Sequence, residues 1–132
     1  MDLQFDKILE KIKKDKEVIA AALFGSSLKG KGRDIDLCIF LGKKINNKEA
    51  TKKRIALSGQ FGDKFDINIF QQLPIYVRIR IIKEGKIIFC RDEDRLYEIA
   101  FDTVKEFDSY KNLYEMYLSE VKNGPRKNSL KI

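Results

Sequence analysis

Two apolar segments joined by a short Gly- and Lys-rich loop constrain the fold of this chain most. The first segment ends at Phe24 and meets Gly25, and the second opens with Asp34-Ile-Asp36. This pattern predicts two strands, over about 17–24 and 34–41, connected by a turn. The first strand is apolar without alternation, which predicts that both of its faces are buried.

Asp34 and Asp36 occupy alternate positions of the second predicted strand. Side chains at i and i+2 point to the same face of a strand, about 7 Å apart. Because Asp is depleted in strands, a carboxylate pair behind a glycine turn favours a divalent-metal site over a solvated strand face. The segment 64–70 alternates as a third strand, which can lie beside the second and bring Asp66 to the same face. Three hard oxygen ligands suit Mg²⁺ or Mn²⁺.

The glycine turn supplies candidate phosphate-binding groups. Gly25 lets the backbone approach a phosphate closely, and Ser26 offers N–H and O–H donors. Ser27, Lys29 and Arg33 complete the candidate set. The same loop matches G-x-x-x-x-G-K, but the next residue is Gly and a strand rather than a helix follows, so a P-loop is rejected. The combination predicts metal-assisted phosphoryl or nucleotidyl transfer, with Asp66 as the candidate base.

The composition narrows the chemistry and the setting. The 132 residues suit a single domain and contain no histidine, which excludes His-based catalysis and nearly every zinc site. The net charge of +7 favours a polyanionic partner such as a nucleotide or RNA, or an acidic protein face. Cys38 and Cys90 lie in apolar runs and are expected as reduced core residues. With no long apolar run and no leader pattern, we expect a soluble, cytoplasmic protein with no membrane partner.

The remaining pattern predicts an α/β (α+β) fold, with a small mixed sheet of about four strands flanked by helices. Helices are predicted over 3–14, 48–58, 75–83 and 91–118, with a short strand over 86–90. The second helix is expected to bury its small and apolar residues, and a break of the last helix is considered near 107–110. We expect one domain over 1–120 and a loose basic tail over 121–132, where Gly-Pro follows residue 123.

The site residues resemble the DNA polymerase β-like nucleotidyltransferase superfamily, and specifically the minimal nucleotidyltransferase (MNT) domains of prokaryotes. The matching motifs are Phe24-Gly-Ser26, Asp34-Ile-Asp36 and Asp66-Ile67. The resemblance covers most of residues 15–118. The seven-residue spacer 27–33 is shorter than is usual in the family, which predicts a truncated helix there.

The resemblance implies an Mg²⁺-dependent nucleotidyltransferase that moves a nucleoside monophosphate from an NTP, with ATP favoured, to a protein or other hydroxyl acceptor. Asp34, Asp36 and Asp66 would be its catalytic, metal-binding carboxylates. The family further implies a HEPN-domain partner and the antitoxin role in a toxin–antitoxin pair. Two alternatives stay open: a non-catalytic adaptor that retains the fold, and an RNA-binding module, for which no motif is present.

Overall fold

The computed structural model describes residues 3–25, 35–59 and 64–123. Within these ranges helices and strands alternate along most of the chain. Their bounds are α1 Leu3–Lys14, β1 Val18–Phe24, β2 Ile35–Leu41, α2 Asn47–Ser58, β3 Phe65–Ile69, a 3-10 turn Phe70–Gln72, α3 Ile75–Glu84, β4 Lys86–Cys90 and α4 Glu93–Asn123.

The strands form one four-stranded mixed sheet in the order β3-β2-β1-β4. β1 pairs antiparallel with both β2 and β4, whereas β2 and β3 are parallel. A parallel pair needs a crossover connection, which α2 provides. The mixed sheet with flanking helices confirms the predicted fold class, and β3 lies beside β2 as predicted.

Helices cover both faces of the sheet, so the chain has a core on each side. α1 and α2 cover one face, where Phe5, Ile8 and Ile12 of α1 pack on the central strands. α3 and α4 cover the other, where the rings of Phe40 and Phe70 stack with centroids 4.4 Å apart. β1 is buried on both faces, as its unbroken apolar run predicts.

The second helix buries a different face from the one we expected. Ala50 and Leu57 are buried, but Ile55 is 58% exposed and Ala56 is also exposed. Lys53 takes the inward position between the buried pair, with its Nζ 2.5 Å from Asp15 Oδ2 and 2.7 Å from Glu17 Oε1. The apolar periodicity did not predict this buried face because Lys53, which is paired with two acidic residues, occupies a position where an apolar residue is expected.

The last helix is longer than we expected and is continuous. α4 is continuous from Glu93 to Asn123, so the break considered near 107–110 is wrong. Helix therefore continues three residues into the segment predicted as a tail, and residues 124–132 lie outside the described ranges. Among the described residues, no helix is long and apolar enough to cross a bilayer.

Candidate functional site

Asp36 and Asp66 lie side by side on neighbouring strands. The parallel register of β2 and β3 pairs Asp36 with Asp66. Neighbouring strands are about 4.8 Å apart, and side chains at paired positions share a face. Asp36 is half-buried and Asp66 is exposed, so the pair is open to solvent at the end of the sheet. The structure thus brings together two of the three carboxylates that the sequence selects.

Gly25 completes this end of the sheet. β1 and β2 are antiparallel and pair Phe24 with Asp36, which places the residue after β1 beside that carboxylate. Gly25 has a φ of +67°, and a Cβ built on it would lie 2.7 Å from Asp36 Oδ2. The left-handed backbone and the lack of room both require glycine here. The sequence suggested Gly25 for its approach to phosphate, but its fit against Asp36 becomes visible only with the β1–β2 register.

The other predicted site residues lie outside the described part of the chain. They are Ser26, Ser27, Lys29, Arg33 and Asp34. Their assignments as phosphate-binding residues and as the remaining carboxylate stay predictions.

The two carboxylates suit a hard divalent cation. Carboxylate oxygens are the ligands that Mg²⁺ and Mn²⁺ prefer, and such ions are bound by one or two carboxylates together with substrate phosphates. Within ranges 3–25, 35–59 and 64–123, no group of three or more Asp, Glu, His or Cys side chains is placed to hold a metal. Asp34, the third carboxylate that the sequence selects, lies outside these ranges.

Two cavities lie away from the carboxylates. A cavity of about 420 Å³ between β4, α3 and α4 is lined mainly by apolar side chains, including Phe40, Ile81 and Leu96. One of about 520 Å³ lies at the far end of β2, beside Leu41 and Lys43. Neither is lined by Asp36 or Asp66. Cavity volume alone supplies no reactive or metal-binding group, so the carboxylate pair stays the candidate site.

Burial removes Cys38 from consideration as a nucleophile or metal ligand. Cys38 and Cys90 are both free thiols, and Cys38 is buried on β2 two residues after Asp36. Desolvation raises the pKa of the Cys38 thiol far above its usual range. Because the thiolate is the reactive form, Cys38 acts as a core residue, as the sequence suggested.

Comparison with known proteins identifies the family of the chain. Residues 6–94 match the family described as polymerase beta, nucleotidyltransferase. A relative from Methanocaldococcus jannaschii, named "Putative protein adenylyltransferase", is 37% identical, and the alignment covers 68% of this chain and 84% of the relative. The matched family region contains Gly25, Asp36 and Asp66 and ends at the start of α4.

Solved structures share the fold at low sequence identity. One is a mutant of the toxin–antitoxin MntA–HpeT, with a TM-score of 0.67 and 16% identity over 91% of this chain and 98% of the other. Another is a tri-AMPylated Shewanella oneidensis HEPN toxin in complex with its MNT antitoxin, with a TM-score of 0.62 and 14% identity over 90% and 98%. The chain therefore belongs to the polymerase β nucleotidyltransferase family and has the fold of the minimal nucleotidyltransferases.

Proposed function

We propose that this nucleotidyltransferase moves AMP from ATP to a hydroxyl group of a partner protein, in an Mg²⁺-dependent reaction at Asp36 and Asp66. The observation that carries the proposal is the pairing of these two carboxylates across β2 and β3, with Gly25 fitted against one of them. ATP as donor and protein as acceptor are supported by the relative named as a protein adenylyltransferase.

In this proposal each residue has a defined task. Asp36 and Asp66, with Asp34, would hold the Mg²⁺ ion, which when bound neutralises charge on the triphosphate. Gly25 lies directly against Asp36 Oδ2, and its lack of a side chain would let the turn lie against the phosphates. Ser26, Ser27, Lys29 and Arg33 would donate hydrogen bonds or positive charge to the phosphates.

Asp66 is the candidate base because it is the exposed member of the described pair. It would accept the proton of the acceptor hydroxyl as the hydroxyl oxygen bonds to the α-phosphorus. The bond between that phosphorus and the bridging oxygen breaks, and pyrophosphate leaves.

We further propose that the acceptor is a HEPN-domain protein and that the chain acts as its antitoxin. The support is the shared fold with the MNT antitoxin that was solved with a tri-AMPylated HEPN toxin. The chain's net charge of +7 would favour an acidic face on that partner.

The test is label transfer from ATP to candidate acceptors, with the product of the neighbouring gene as the first acceptor. Label on the α-phosphate should appear on the acceptor, while label on the γ-phosphate should not, and chelation of Mg²⁺ should abolish the transfer. CTP, GTP and UTP serve as competing donors. Transfer of the γ-label would identify a kinase-type reaction instead, and no transfer to any acceptor would favour the non-catalytic adaptor.

A further inference from the structure

α4 carries one apolar seam along nearly its whole length. The residues recur with alternating spacings of four and three over four heptads, the pattern of a helix that packs lengthwise against another helix. One row is Leu96, Thr103, Tyr110 and Tyr117, and the other is Ala100, Phe107, Tyr114 and Val121.

The domain covers only the first half of this seam. Thr103 is 3% exposed and its neighbour Ile99 is 7% exposed, on the side of α4 that faces α3 and the sheet. From residue 108 to residue 122 every side chain is exposed. The uncovered residues, which we call the α4 stripe, are Tyr110, Tyr114, Tyr117 and Val121, with Leu113 and Leu118 beside them.

The α4 stripe is large for an uncovered surface. Its three tyrosines are 49–53% exposed, and the rings of Tyr110 and Tyr114 are parallel with centroids 6.3 Å apart. Six such side chains present on the order of several hundred Å² of apolar surface, the size of the largest exposed patch on a typical monomer, which is often functional. A free helical segment of this length, about 21 Å, is also marginal alone in water.

We propose that the second halves of two α4 helices pair along the α4 stripe and form an antiparallel homodimer. The stripe contains no formal charge, so it complements a second copy of itself. Its flanking positions carry one charge each, Lys111 on one side and Glu120 on the other. In a two-fold antiparallel pair, each flank of the stripe lies against the same flank of the partner helix. Because each flank carries a single charge, the two like charges are offset along the helices and do not face each other directly.

The position of the domain selects the antiparallel direction. Within each chain the domain lies on the seam side of the first half of α4. A parallel partner would bring its own domain into the same space. An antiparallel partner places its domain beyond the C-terminal end of α4. Residues 124–132 are less suited than a second chain to cover the α4 stripe, since they offer only Leu130 and Ile132 as large apolar side chains.

The experiment measures the mass of the full chain by light scattering or sedimentation across a dilution series. We expect a dimer of twice the 15.4 kDa chain mass. Tyr114→Glu should weaken dimerisation about 30-fold or more, as loss of a central anchor does. The matched control is Asn112→Glu, which adds the same charge on the opposite face of the same turn and should leave the mass unchanged.

Three results would overturn the proposal. They are a wild-type chain that is monomeric at every concentration, a Tyr114→Glu variant that dimerises like Asn112→Glu, and loss of the dimer in both variants. If circular dichroism shows that Tyr114→Glu has lost helix, Tyr117→Glu replaces it in the same comparison.

The direction of pairing is tested with spin labels. Glu93→Cys in a Cys90→Ser background places one label at the N-terminus of each α4. An antiparallel overlap of the exposed halves separates the labels by about 70 Å. A distance below about 30 Å would instead fit a parallel pair and would reject the proposed geometry.

Discussion

At the scale of single residues, the candidate site is built from a glycine as well as from carboxylates. Gly25 combines a left-handed backbone with the lack of any space for a Cβ beside Asp36 Oδ2. The closeness to Asp36 follows from the antiparallel register that pairs Phe24 with Asp36. The residue therefore fixes where that carboxylate can lie, in addition to any contact with a phosphate.

Gly25→Ala should damage the site more than the fold. We expect a loss of about 1–2 kcal/mol in the free energy of unfolding, because alanine is strained at this φ. Displacement of Asp36 should lower the affinity for Mg²⁺ and ATP together by at least about tenfold, measured by calorimetry. Gly59→Ala is the control, since Gly59 lies at the end of α2 with an ordinary φ of −66°. Unchanged nucleotide affinity in Gly25→Ala would show that the contact with Asp36 has no role in binding.

At the scale of elements, ion pairs join two helices to their neighbours in the domain. Lys53 anchors α2 to the α1–β1 connection through Asp15 and Glu17. Partial burial opposes the charge on Lys53, but the hydrogen bonds to the two carboxylates outweigh it and raise the pKa of the lysine. Arg78 of α3 joins α4 through two hydrogen bonds to Glu106, of 3.2 and 2.9 Å.

Lys53→Met should destabilise the chain by about 1 kcal/mol at neutral pH, since methionine keeps the packing but leaves two carboxylates without their lysine. Because the pKa of Lys53 is raised from 10.5, its contribution is complete below that pH and is lost as the pH rises through the higher folded value. Urea unfolding measures the difference. The exposed neighbour Lys52 gives the control variant Lys52→Met, and an equal loss in both variants would refute an anchoring role.

Glu106→Gln should show the opposite pH dependence. The hydrogen bonds from Arg78 lower the pKa of Glu106 from 4.5, so the ion pair stabilises the fold above that pH and stops doing so as the pH falls through the lower folded value. Glu106 is largely exposed, so we expect at most about 1 kcal/mol at pH 7. The urea midpoints of wild type and Glu106→Gln should converge as the pH falls below that lowered folded pKa. A difference that persists there would exclude the ion pair as its cause.

At the scale of the whole molecule, much of the architecture could be predicted from the sequence because the two central strands are continuous apolar runs. The position of β3 beside β2 could be predicted from its alternation, but its parallel direction becomes visible only in the sheet. The buried face of α2 could not be predicted, because Lys53 is held there by acidic residues 36 and 38 positions earlier in the chain. For α4, helix was predicted over 91–118, but its continuity through 107–110 and its end at Asn123 were not.

The candidate site, like the fold, could be predicted from the sequence only in part. Asp36 and Asp66 were selected by residue type and by alternation, and their pairing needed only the correct neighbour for β3. The fit of Gly25 against Asp36 needed the register of β1 on β2, which local sequence does not determine. The assignments of Ser26, Ser27, Lys29, Arg33 and Asp34 remain predictions.

The most direct test of the proposed reaction is the rate of α-phosphate label transfer from ATP in carboxylate variants. Asp36→Asn and Asp66→Asn should each lower the rate at least about 100-fold, while circular dichroism and thermal unfolding stay close to wild type. Asp6→Asn, on the exposed face of α1, should retain the wild-type rate. Label transfer that continues at the wild-type rate in Asp36→Asn and Asp66→Asn would contradict the assignment of this carboxylate pair as the catalytic centre.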